Sequence, residues 1–399
     1  MPGLRDTPLS NECTKHSCDE SMEPRTLTPD PTGHRVGGLD YSPPTVGAQN
    51  ATIGWLARGR VPGLEGLRAF SIILVLIEHG VRTQPSRWLR NFVDHLGLGG
   101  LGVNIFFGIS GFLITLLLLR EERVENCINL KNFYIRRLLR ILPAYVAFLA
   151  MIWFFWWNGD LRLRDRDWLG LLTYTANFID GKPGAITHIW SLSLEEQFYL
   201  MWPISLFFLG VRRGTCVLLG YLAFAPLFRV AVRVVLPSFK ALAYTSPLQM
   251  ESIVGGCLLA IAMSRYAHSK WTQRFLSIAE SRWGIMAIVC AFVSPWFFSW
   301  PPFQLTVYPI VRSCAIAGLL VLAVRSRPSA LSSILNWPPV VSIGVWSYSI
   351  YIWQQLVFQW PSILPFPLNF VVCVCAGYAS YRCIETPFLR LKNRFVVSA

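Results

Sequence analysis

Arg68 and His79 are the residues whose types and spacing first point to chemistry. They bracket a mostly apolar stretch that runs from Gly66 to His79. On a helix their separation is about three turns, so both side chains lie on one face, roughly 16 Å apart along the axis. An imidazole moves protons near neutral pH, and a guanidinium holds oxyanions. Both groups are costly in lipid, and membrane helices keep them where they face a cavity or a partner. A structural alternative has Arg68 snorkelling to the interface and His79 bonding a neighbouring helix. Glu78 is a rival base. It projects about 100° away from His79, so the two cannot face one substrate equally.

Other constellations lie further along the chain. Arg136, Arg137 and Arg140, inside Phe133-Tyr-Ile-Arg-Arg-Leu-Leu-Arg-Ile-Leu-Pro143, span an arc of about 100° if helical. Three guanidiniums there suit anionic lipid headgroups or a phosphorylated cofactor, and both remain open. Glu195 and Glu196 sit beside Trp190, Tyr199 and Trp202. An interfacial anchor needs the aromatics but not paired acids. This segment, with Trp190 and Ser191, therefore reads as one wall of an outward-facing polar cavity. Gly108, Ser110 and Gly111 permit close helix approach. Asn104 and Ser110 are candidate hydrogen-bond partners for a group on the first helix. Tyr348, Tyr351 and Gln355 share a helix face, and Glu385 is placed to pair with one of the arginines.

The elements that must position these residues follow from composition. Of 399 residues, 53% are hydrophobic and only 15% charged, against about a quarter in soluble proteins. The net charge of +14 invites a nucleic-acid partner. The basic residues fall mostly in short loops between apolar runs, which is the positive-inside pattern and argues against that partner. The 10 Cys lie mostly in apolar runs, where Cys behaves as a small hydrophobe. Cys13, His16 and Cys18 lack a matching second pair, so no metal site is expected. Residues 1–54 are polar and Pro-rich and are expected to be a disordered cytoplasmic tail, without the apolar core of a signal peptide.

Apolar stretches then recur at about 64–82, 101–119, 141–157, 198–211, 215–236, 248–263, 284–300, 304–324, 340–358 and 366–384. The expected fold is all-α: a polytopic membrane helix bundle of about ten transmembrane helices, forming one membrane-embedded domain over 55–395. Arg120, Arg123, Lys131, Arg212, Arg213, Arg265, Lys270, Arg325 and Arg390 fall in alternate loops. That places both termini in the cytoplasm of a plasma-membrane protein. No internal repeat points to inverted transporter halves.

Together these segments resemble the acyltransferase-3 family of integral-membrane O-acyltransferases. The resemblance rests on Arg68 and His79, on Phe106-Phe107-x-x-Ser110-Gly111-Phe112-Leu113, and on the Phe133–Pro143 arginine segment. It extends through Trp190-Ser-Leu-x-x-Glu195-Glu196-Gln-Phe-Tyr199, Ser347-Tyr348-x-x-Tyr351 and Glu385-x-Pro387-Phe388, in family order over about 60–395. It implies transfer of an acyl group, usually acetyl from acetyl-CoA, onto a hydroxyl of a glycan, lipid-linked sugar or small secreted product. It implies His79 as the main catalytic residue and Arg68 as its companion. Asn104 stands where the family often has Asp, and Gln354 where it often has His. The chain stops soon after the last apolar stretch, so no fused extracytoplasmic esterase-like domain is expected.

A hydroxyl is a poor nucleophile and needs a base and an oxyanion stabiliser. His79 is assigned as general base. Arg68 either holds a cofactor phosphate or polarises the thioester carbonyl. Arg136, Arg137 and Arg140 would receive the CoA phosphates, with Glu195 and Glu196 shaping the acceptor side. Two further readings stay open: a transporter or flippase with His79 and the Glu pair as a proton relay, and a structural membrane scaffold.

Overall fold

The stretch that carries Arg68 and His79 folds as one helix, α1 (Leu64–Arg82), in this computed structural model. The structure describes residues 61, 63–84, 86–235, 249–298, 300–325, 329–360 and 364–392. The expected disordered tail over 1–54, with Cys13, His16 and Cys18, lies outside the described residues. α1 begins after Gly63, whose φ of 75° suits a residue without a side chain. The Gly63 amide donates to Asn336 Oδ1 at 3.0 Å.

Every regular element among the described residues is helical. After α1 come a short α2 (Arg87–Leu96), a long α3 (Leu98–Glu125) and α4 (Leu130–Trp157). Asn126 closes α3 in the left-handed region, at φ 57°. The Asn129 side chain caps α4 by accepting from the Asn132 amide at 2.9 Å. The loop that follows carries α5 (Asp165–Leu172) and single 3₁₀ turns at Ala176–Phe178 and Gly184–Ile186. Next are α6 (Ile189–Val235), α7 (Glu251–Arg265), α8 (Lys270–Glu280) and α9 (Arg282–Phe297). α10 (Tyr308–Val324), α11 (Ala330–Leu335), α12 (Pro338–Phe358), α13 (Leu368–Ser380) and α14 (Thr386–Lys392) complete the chain. π-turns at Phe303–Val307 and Tyr381–Glu385 lead into α10 and α14.

α6 is two helices. Gly210 breaks it with φ 68° and ψ 174°. A side chain built at Gly214 would lie 3.4 Å from Trp202. Twelve helical residues span about 18 Å, so the second half folds back on the first.

Among the described residues four helical runs are long and apolar enough to cross a membrane: Arg87–Glu125, Leu130–Trp157, Gly184–Val235 and Phe303–Val324. A fifth exists if α8 and α9, bent by 78°, form one crossing. The ten apolar stretches are thus not ten self-sufficient spanning helices. α7 and α13 are only 15 and 13 residues long. α1 carries Glu65, Arg68, Glu78 and Arg82, and α12 is diluted by Trp, Tyr, Ser and Gln. The residues that make α1 and α12 poor lipid-facing helices are largely the candidate site residues.

α1 packs between α3 and α12, and α3 packs on α7. Lipid tails are as apolar as Leu, so close backbone approach must do more of the packing than in water. A side chain built at Gly256 of α7 would strike the Gly108 carbonyl of α3 and lie 2.8 Å from the Phe112 amide. Around this seam Ile72, Val75, Phe107, Leu194, Trp202 and Ile253 form a buried core. At one end of the bundle, charges close the helix ends. Arg265 pairs with Glu122 at 2.5 Å, Arg136 with Glu121 at 2.8 Å and Arg325 with Glu280 at 3.1 Å.

Candidate active site

α1, α3, α4, α6 and α12 enclose an open cavity of about 650 Å³. Arg68 enters it from α1, Ser110 from α3, and Arg137 and Arg140 from α4. Ser191, Glu195 and Glu196 line it from the first turns of α6, and Tyr348 and Tyr351 from α12. Residues far apart in the chain therefore share one wall or another of a single space.

The arginines are close enough to feel one another, Arg140 interacting electrostatically with Arg68 and Arg137. Arg68 has a long pair with Glu65 at 3.6 Å. The Arg137 guanidinium lies 3.5 Å from the centre of the Tyr199 ring, a cation–π contact. The Nε atoms of Arg68 and Arg137 are both buried without a hydrogen-bond partner. Three neighbouring guanidiniums, two of them with unspent donors, fit phosphate oxygens.

Beside the arginines, and joined to them through Tyr199, the lining is acidic and hydroxylic. Glu195 accepts hydrogen bonds from Ser110 Oγ and from the Tyr199 hydroxyl. Glu196 Oε1 is buried with no partner. The hydroxyls of Tyr351 and Ser191 share a hydrogen bond at 2.5 Å, and whichever of them accepts it donates its own proton to the His188 carbonyl, 3.0 Å from Ser191 Oγ and 3.2 Å from the Tyr351 hydroxyl. Tyr348 donates to the Ile141 carbonyl at 2.8 Å, tying α12 to α4.

His79 lies further along α1 and is not among the cavity's lining residues. Its Nδ1 is 2.7 Å from Gln354 Oε1 on α12. An amide oxygen only accepts, so Nδ1 carries the proton and Nε2 keeps the basic lone pair. Gln354 is fully buried, and its Nε2 has no partner. Glu78 is committed elsewhere: it accepts from the Gly99 amide at 2.6 Å and pairs with Arg82 at 2.9 Å.

The other sequence candidates sit outside the cavity. Arg136 turns away from Arg137 and Arg140 to its pair with Glu121. Asn104 accepts from Ser252 Oγ at 2.8 Å, joining α3 to α7. Trp190 packs edge-on against Phe107, with ring centres 6.2 Å apart. Glu385 accepts from Ser349 Oγ and lies within electrostatic reach of Arg140.

One residue escaped the sequence analysis. His188 is 3% exposed, and its Nε2 donates to the Ile352 carbonyl at 3.0 Å, which leaves Nδ1 as an unpartnered buried acceptor. It lies within electrostatic reach of His79. The available signal was its place two residues before Trp190, at the head of the acidic-aromatic segment. Among the described residues no group of three or more His, Cys, Asp or Glu gathers as a metal site.

No solved structure matches the chain. Curated relatives do. The O-acetyltransferase OatA of Staphylococcus aureus is 26% identical over 354 residues, covering 82% of this chain and 57% of that protein. The peptidoglycan O-acetyltransferase OatA of Listeria monocytogenes is 29% identical over 380 residues, covering 85% of this chain and 57% of that protein. The chain thus spans little more than half the length of these relatives. The acyltransferase domain family matches over residues 61–380, most of the chain and the whole of the cavity just described. The chain therefore belongs to the acyltransferase-3 family and carries its acyltransferase domain.

Proposed function

We propose that this chain moves an acyl group, acetyl first among them, from acyl-CoA to a hydroxyl of a cell-surface glycan. The Listeria relative is named for peptidoglycan, and a glycan hydroxyl is the acceptor adopted here. The observation that carries the reading is the cavity that Arg68, Arg137 and Arg140 share with Ser110 and Glu195. Cationic and acidic groups lining one space suit a phosphorylated donor meeting a polar acceptor.

In this reading Arg137 and Arg140 hold the CoA phosphates, and Arg68 holds a phosphate or polarises the thioester carbonyl. Arg136, occupied by Glu121, supports the α3–α4 corner instead. His79 Nε2 takes the proton of the attacking hydroxyl, with Gln354 fixing the ring. Glu195, Glu196, Ser191 and Tyr351 shape the acceptor side. The protein sits in the plasma membrane with ten crossings and both termini cytoplasmic. The short helix α7 completes its crossing buried inside the bundle, and α13 lengthens its crossing by running on through the π-turn into α14.

The test uses membranes carrying the wild-type chain or His79→Ala, labelled acetyl-CoA and a cell-envelope glycan extract. Label should reach the glycan with wild type and fall by about 10²–10⁴-fold in the variant. Equal labelling in both would remove His79 as the base. Solute movement by the purified wild type without acetyl-CoA consumption would put the transporter or flippase reading first.

A further inference from the structure

A second polar cavity, of about 550 Å³, lies away from the arginine-lined one, between the second half of α6, the start of α7 and the start of α10. Arg229, Glu251 and Arg312 line it, with Gln249, Gln304 and Tyr308. Glu251 is the first residue of α7, and Arg265, which pairs with Glu122, is the last. The cavity is therefore roughly 20 Å along α7 from the ion-paired end of the bundle. The reading above makes that paired end cytoplasmic, so this cavity belongs to the outer half.

Its charges do not balance. Arg229, 2% exposed, is paired with Glu251, which is fully buried, and also donates to the Leu305 carbonyl. That pair is internally neutral. Arg312 adds a second guanidinium within electrostatic reach of Arg229. Its charge centre lies 5.2 Å from the Tyr308 ring centre, and its Nε is buried without a hydrogen-bond partner. Among the described residues no carboxylate pairs with Arg312. One positive charge is left over, with a donor sealed from water, in a partly enclosed space. An unpaired charge in such surroundings is costly. A single oxyanion presented to Arg312 removes that cost.

We propose that this cavity is a binding site for one oxyanion, a carboxylate or a phosphate, and that it docks the anionic group of the acceptor glycan. The second half of that statement rests on the acyl-transfer reading; the anion site does not. Arg312 is the recognising residue, Tyr308 holds its guanidinium, and the Arg229–Glu251 pair forms the neutral floor. Neutral acceptors gain nothing from the site, so it selects acidic ones.

The experiment measures binding to the detergent-solubilised full chain by thermal shift, with saturation-transfer NMR added for the two sugars. The probes are inorganic phosphate, glucuronate and, as the neutral control, glucose. Saturable binding of phosphate or glucuronate but not glucose is expected, weakened at least tenfold by Arg312→Gln. Whichever anion binds more tightly identifies the source. Arg312→Lys keeps the charge but loses the fork, and several-fold weakening is expected there, which covers the case of an unstable Arg312→Gln. Unchanged binding in both Arg312 variants, no anion binding at all, or loss with Arg137→Gln alone would overturn the proposal. Anion binding in a chain that transfers no acyl group would keep the site and remove only the reading of its ligand as an acyl acceptor.

Discussion

At the scale of single residues, the ring of His79 is held by a group that cannot ionise. Gln354 Oε1 accepts from Nδ1 at 2.7 Å, where a carboxylate or a second imidazole would add its own titration. Gln354→Leu should lower kcat for acyl transfer about tenfold while leaving KM for acyl-CoA unchanged, because orientation is lost and donor binding is not. Gln354→His, which restores an acceptor nitrogen, should recover most of that rate in the same steady-state assay. Outside the membrane, Asp167 offers a pH test. It accepts from Arg164 Nε and Nη2, both at 2.8 Å, and from the Arg164 amide at 2.9 Å. These bonds from Arg164 hold its carboxyl below the usual range. The stability they contribute is present above the unfolded pKa, near 4, and is lost as pH falls through the lower folded value. Asp167→Asn should cost about 1 kcal/mol at pH 7 in denaturant unfolding, and the gap to wild type should narrow progressively as pH falls below about 4.

The pairing of Arg68 and His79 on one helix face was legible, because helical geometry follows from spacing alone. The partners were not. Gln354 is 275 positions from His79 and Tyr351 is 160 from Ser191, so only the fold brings them together. Arg136 could not be separated from Arg137 and Arg140 by spacing either. Its pairing with Glu121 depends on how α3 and α4 meet at their corner.

At the scale of elements, the seam between α3 and α7 sets how closely the cavity walls stand. Any side chain at Gly256 meets α3 backbone, which cannot rotate aside. Gly256→Val should destabilise the bundle by about 1–3 kcal/mol, read as a lower thermal midpoint in detergent, whereas the same change at Gly220, which has open space, should leave it unmoved. The long apolar helices were legible from hydropathy; the first stretch, 64–82, coincides with α1. The loop helices α2, α5 and α8 were not, since each is short and two-sided and forms by packing against the bundle. The break in α6 was legible as the gap between the stretches 198–211 and 215–236; that Gly210 makes it with a left-handed φ was not.

For the whole molecule, the charge layout ties topology to donor binding. Arg137→Gln and Arg140→Gln should each raise KM for acyl-CoA about tenfold, the loss of one charge-assisted contact, with smaller changes in kcat. Cysteines placed at Asp165 and at Arg123, in a cysteine-free background, should divide cleanly in whole cells. A membrane-impermeant maleimide should label the first and spare the second.

The same architecture has a consequence for how the protein is made. α1, α3, α4 and the start of α6 supply the arginines, Ser110 and Glu195, and all have left the ribosome while α12 is still being translated. Gln354 and Tyr351 arrive on α12. A nascent chain can thus assemble the cationic wall long before it can orient His79. On the proposed reading, reactivity would switch on only as α12 docks and closes the cavity, near the end of synthesis.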